Sequence, residues 1–169
     1  MSAKWDRWFL GMAEYVATAS KDPSTRCGAV IVDRKRRVVA VGYNGLARGV
    51  TDDPARLHDR DTKLAVTVHA EVNAILFAGR DLTGCTLYAV PFASCSRCAA
   101  VVIQSGITRC VAPVTPPHLL DRWGRALELS AMMFREAGVE LCLVDDLPPV
   151  TATSASLTPS PLSTPSGNG

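Results

Sequence analysis

The sequence has no apolar run of the ~20 residues that a membrane-crossing helix requires, so no spanning segment is expected. It also lacks the unbroken apolar core of a secretory leader, because Trp5-Asp6-Arg7-Trp8 interrupts the stretch where that core would lie. A cytoplasmic address is expected by default. Charge of one sign is equally scarce. Eighteen Lys and Arg against 16 Asp and Glu leave a formal net charge of +2, too little for the concentrated basic face of a polyanion binder. No nucleic-acid partner is expected. Arg34-Lys35-Arg36-Arg37 is the one basic cluster, and between two apolar runs it reads as a solvated hairpin turn.

Six cysteines are present, but their placement does not suggest a disulfide framework. Cys27, Cys85, Cys110 and Cys142 sit in or beside apolar runs, where free cysteine behaves as a small hydrophobe. A chain of 169 residues fits one domain with one core.

Trp5, Trp8, Phe9, Met12, Val16 and Ala19 recur at helical intervals, which predicts an amphipathic helix ending near Ser20 before Lys21-Asp22-Pro23. Ala29 to Val32 and Val38 to Val41 flank the basic turn and predict an antiparallel hairpin, apolar enough for both strands to be covered on both faces. Gly45 to Val66 is polar and predicts a long loop without elements of its own, the kind that is often functional. Helices are predicted from His69 to Ala78, Cys95 to Gln104 and about Pro117 to Ala137, the last with Leu120, Trp123, Leu127, Ser130 and Phe134 on one face. Strands are predicted at 86–90, 110–112 and 140–144. Helical crossovers between these make the last strands parallel. The expected architecture is α/β: a three-layer α-β-α arrangement around a five-stranded mixed sheet. The domain is expected over residues 1–147. Residues 148–169 are rich in Ser, Thr, Pro and Gly, cannot bury a core, and predict a disordered tail.

His69-Ala70-Glu71 and Cys95-Ser96-Arg97-Cys98 carry the chemistry. Structural zinc takes four protein ligands, whereas catalytic zinc takes three and keeps a position for water. His69, Cys95 and Cys98 supply three, and Glu71 stands two residues from a ligand as a free carboxylate. Each motif opens a predicted helix, whose positive dipole end favours thiolate, the metal-binding form of cysteine. Bound zinc lowers the pKa of water from ~15.7 toward ~7, and Glu71 then has protons to move. The combination predicts hydrolytic removal of an amino group from a base.

At these residues the chain resembles the zinc-dependent cytidine/deoxycytidylate deaminase family, and within it the deoxycytidylate branch. Ser20 to Thr25, Gly42-Tyr43-Asn44-Gly45, His69 to Ile75, Gly84 to Tyr88 and Ile103 to Ile107 carry the resemblance. It implies the cytidine-deaminase-like fold, Zn²⁺ as cofactor, and hydrolysis of dCMP to dUMP and ammonia, supplying thymidylate synthesis. It also implies a homo-oligomer, dimer or hexamer. The resemblance makes His69, Cys95 and Cys98 the ligands and Glu71 the catalytic residue. Asn44, Ala70 and Ser94 become substrate-binding candidates, with Asn44 on the deoxyribose; the competing reading gives Asn44 to the turn after its strand. Arg26, Arg48, Arg60 and Lys63 are candidates for the 5′-phosphate. Two departures stand out. Ser94 replaces the proline that usually precedes the first zinc cysteine, and is expected to cap the following helix. Ala47 replaces a proline of the regulated members, which leaves control by dCTP and dTTP open. The competing functions are deamination of another cytosine nucleotide, a nucleoside or RNA adenosine, and a catalytically silent binding protein, against which Glu71 argues.

Overall fold

In the computed structural model, which describes residues 2–145, helix α1 runs Ala3–Ala17 and buries Phe9, Leu10, Ala13 and Ala17 on one side. The expected tail from 148 lies outside the described residues. Helix α1 stops before Ser20 because Thr18 and Ala19 already turn back on Tyr15 and Val16. Strands β1 (Gly28–Val32) and β2 (Val38–Tyr43) follow as the predicted hairpin. Asp33 closes its turn by accepting from the Lys35 and Arg37 amides at 2.8 and 3.0 Å. The basic cluster lies in this turn, with the Arg36 guanidinium over the Trp5 ring.

The five-stranded sheet has the order β2-β1-β5-β6-β7, where β5 is Thr86–Val90, β6 Arg109–Pro113 and β7 Glu140–Val144. β1 is antiparallel to both β2 and β5, and β5, β6 and β7 are parallel, as the helical crossovers require. One expectation fails here. β1 is buried along its whole length, but β2 is an edge strand with Val38, Val41 and Tyr43 exposed, so an apolar run does not imply cover on both faces.

Helix α1 covers one face of the sheet through Phe9, Val30, Tyr88 and Val111. Helices α4 (Ala70–Ala78), α5 (Ser96–Gln104) and α6 (Pro117–Glu136) contribute to the core on the other. Two glycines set how closely these layers approach. A Cβ at Gly28 would overlap the backbone of Ala13, and one at Gly42 the backbone of Ala70 and Ala74. In α6 the buried residues are Leu119, Ser130 and Phe134; Leu120, assigned to the apolar face by spacing, is exposed.

The segment from Gly45 to Val66 is not featureless. It holds β3 (Gly45–Leu46), α2 (Pro54–His58) and α3 (Arg60–Val66), and leads into β4 (Thr67–Val68), which pairs with β3. Asp53 caps α2 by accepting from the Ala55 amide at 2.9 Å, and Asp59 caps α3 by accepting from Thr62 at 2.8 Å. Helices this short show no periodicity, and only their caps announce them.

Beneath α1 lies a buried polar network. Asp6 accepts from Tyr88 Oη at 2.8 Å and from Arg109 Nη1 and Nη2 at 2.8 and 3.0 Å. Burial alone would raise the Asp6 carboxyl, but the hydrogen bonds from Arg109 and Tyr88 outweigh it and hold it below its ordinary value.

Candidate active site

His69 and Cys95 are the N-cap residues of α4 and α5, with extended backbone at φ −71°, ψ 155° and φ −66°, ψ 167°. Neither helix start has a side-chain cap, so the first-turn N–H groups of both face the site region with their positive dipole ends. Cys98 follows one turn into α5. Cys95 Sγ lies 3.6 Å and Cys98 Sγ 3.2 Å from His69 Nδ1, and the three ligand atoms lie within 4.8 Å of one another. For tetrahedral zinc with bonds near 2.3 Å to sulfur and 2.0–2.1 Å to nitrogen, the sulfur-to-nitrogen separation is about 3.6 Å. The cluster fits a zinc ion, and two thiolates would balance its charge.

The two thiols share their proton unequally. The hydrogen bond from Cys98 pulls Cys95 down to about 4 against the cost of its burial, with His69 helping, while the same bond pushes Cys98 up. Both sulfurs become thiolates when a cation takes the place of the shared proton. Glu71, on the first turn of α4, is buried beside the cluster. Burial pushes its carboxyl up; a cation among the three ligands would act the other way.

These groups open into a cleft enclosing about 620 Å³, open solvent included. Val90, Phe92, Leu64 and Trp123 give it apolar and aromatic walls, with Phe92 and Trp123 centroids 5.4 Å apart and Trp123 edge-on to His69 at 6.3 Å. Asp22 organises the polar wall, accepting at Oδ1 from the Ser24 and Thr25 amides at 2.7 and 3.1 Å and from Lys63 Nζ at 2.9 Å.

Of the three candidate substrate contacts, only Asn44 lines the cleft. Its Oδ1 accepts from the Cys27 amide at 2.7 Å and its Nδ2 donates to Thr25 O at 3.0 Å, so it braces the segment entering β1, not the turn after its own strand. Ala70 packs against Gly42 of β2, and neither it nor Ser94 is among the lining residues. The expected helix-capping role of Ser94 does not hold. Cys95 occupies the cap, and the fully buried Ser94 lies near Cys110 Sγ at 3.9 Å, where its hydroxyl works against the upward push of burial on the Glu71 carboxyl.

Among the four phosphate candidates, Lys63 alone reaches the cleft; Arg26 lines a separate one with Glu14 and Pro116. Cys27, Thr25, Thr67 and Arg122 line the cleft without having been singled out as site residues. The apolar surroundings of Cys27 predict a core position and the spacing of Trp123 a packed helix face, yet both line the cleft. Nothing local in the sequence marks Arg122.

Two helix starts that bring a histidine and two cysteines together, with a buried carboxylate beside them, have the layout of a metal-assisted hydrolase. Residues 3–113 match the family model described as the cytidine and deoxycytidylate deaminase zinc-binding region. The chain is 47% identical over 141 residues to the "uncharacterized deaminase in luxG 3′ region" of Aliivibrio fischeri, covering 83% of this chain and 94% of that one. It is 35% identical to the deoxycytidylate deaminase of Homo sapiens, over 80% and 77% of the two chains. The fold matches the dCMP deaminase of cyanophage S-TIM5, solved with dCMP and dUMP, at a TM-score of 0.65 and 18% identity over 85% and 99%. The chain belongs to the zinc-binding cytidine and deoxycytidylate deaminase family.

Proposed function

We propose that the chain deaminates dCMP hydrolytically to dUMP and ammonia, with His69, Cys95 and Cys98 holding the zinc and Glu71 moving the protons. The observation that carries the chemistry is the buried Glu71 carboxylate beside a three-ligand cluster. The substrate rests on the mammalian relatives named deoxycytidylate deaminase. A zinc ion held by His69, Cys95 and Cys98 would supply the nucleophile by acidifying water. Glu71 would accept one proton from the attacking water and deliver it to ring nitrogen N3 as oxygen adds to C4. It then carries the second proton from that oxygen to the amino group, which departs as ammonia and leaves the C4 carbonyl of dUMP. A single carboxylate serves as base and acid in turn. Phe92 with Trp123 offers a flat wall suited to a pyrimidine.

A homo-oligomer in the cytoplasm completes the proposal. The exposed Leu76 and Phe77 of α4 support a subunit contact, and no helix among the described residues is long and apolar enough to cross a membrane. The deciding experiment measures ammonia release by the zinc-loaded full chain from cytidine, deoxycytidine, CMP and dCMP. dCMP is expected to be the preferred substrate by kcat/KM. Equal values for dCMP and deoxycytidine would remove the monophosphate assignment.

A further inference from the structure

Buried polar atoms without a partner are uncommon in folded proteins, and each asks for an explanation. Among the described residues such side-chain atoms are Thr25 Oγ1, Thr67 Oγ1, Trp123 Nε1 and Ser130 Oγ. The first three belong to residues that line the His69–Glu71 cleft. Orphaned donors collected around one cavity are what an oxygen-rich ligand would satisfy.

The charges of the same cleft narrow that ligand further. Asp22, Lys63, Glu71 and Arg122 line it. The Lys63 ammonium donates to Asp22 Oδ1 at 2.9 Å and to Ser24 Oγ at 2.7 Å, so its charge is balanced within the wall. Glu71 belongs to the metal end. Arg122 is exposed, adjoins Trp123 on α6, and has no ion pair or hydrogen bond among the described residues. It is the lining cation whose charge nothing in the cleft cancels. A guanidinium presents a planar fork of donors that matches phosphate, and it stays charged at every relevant pH.

We propose that Arg122 reads the 5′-phosphate of the substrate at the cleft mouth, with Thr25, Thr67 and Trp123 donating to neutral oxygens of the sugar-phosphate end. The assignment rests on the dCMP reading above and names the residue that makes the monophosphate the preferred form. None of the basic residues suggested by sequence proximity is needed for it.

The test compares wild type, Arg122→Gln and Arg122→Lys as zinc-loaded full chains, with dCMP and deoxycytidine as substrates and calorimetric dUMP binding as a second readout. Loss of one charge-assisted contact predicts that Arg122→Gln lowers kcat/KM for dCMP about 10- to 100-fold, chiefly through KM. dUMP binding should weaken by a similar factor, deoxycytidine kcat/KM should fall far less than that for dCMP, and Arg122→Lys should recover part of the loss. Undiminished dCMP kinetics in Arg122→Gln, or an equal loss on both substrates, overturns the assignment while leaving the dCMP reading intact. A wild type that does not favour dCMP over deoxycytidine overturns the substrate reading, and the role of Arg122 with it.

Discussion

Asp6→Asn tests whether the buried network under α1 holds the helix to the sheet. The carboxylate is 5% exposed and Arg109 11%, and the substitution removes the countercharge while nearly preserving shape. Breaking a buried pair by removing one partner costs about 3–5 kcal/mol. The lower end applies here, because Arg109 Nε keeps its bond to the largely exposed Glu140 at 3.0 Å. A cost of about 3 kcal/mol in a chain of this size lowers Tm by about 6–12 °C. The folded-state pKa of Asp6 lies below its unfolded value, so its contribution is complete above about pH 4 and is lost as pH falls through the folded value. Thermal denaturation followed by circular dichroism should therefore show the full gap between wild type and variant at pH 7, closing toward pH 3. Adding Arg109→Met should cost less than the two single changes summed, by about 1 kcal/mol or more. A gap below about 2 °C at pH 7, or one that persists unchanged in acid, would refute the reasoning.

Glu71→Gln should retain a full equivalent of zinc by elemental analysis while turnover falls about 10²- to 10⁴-fold; undiminished turnover would deny the carboxylate its proton-moving role. Gly42→Ala should cost about 3 kcal/mol, because the new methyl meets the Ala70 and Ala74 backbone, which has no rotamer with which to yield. Its Tm should fall accordingly. A variant as stable as wild type would mean that β2 and α4 can separate freely.

The metal cluster was legible in the sequence because its chemistry dictates residue types at short spacing, and the crossover topology followed from strands separated by helix-length segments. What escaped depended on distance or brevity. Asp6 and Arg109 lie 103 positions apart, so no window shows them as a pair. Helices α2 and α3 hold too few residues for a period, although Asp53-Pro54 and Asp59 carried the capping signal. Ser94 looked like a helix start because serine often is one; in the fold the chain enters α5 one residue later and turns that hydroxyl inward. Arg122 sits among polar residues of an amphipathic helix, where only the folded position distinguishes it from a solvated arginine.

The layout around β5 gives the cleft two walls of unequal stiffness. Cys95 and Cys98 lie beyond a four-residue connection from β5, a strand buried along its length between two neighbours, where backbone amides should exchange most slowly. Facing them, Lys63 and Leu64 belong to α3, whose chief packing partner is the five-residue α2 and which is tied to the rest of the wall through the Lys63 bonds to Asp22 and Ser24. Deuterium uptake should therefore be early in 54–66 and late in 86–90. A ligand entering the cleft should therefore displace 54–66 more readily than the side that carries Cys95 and Cys98.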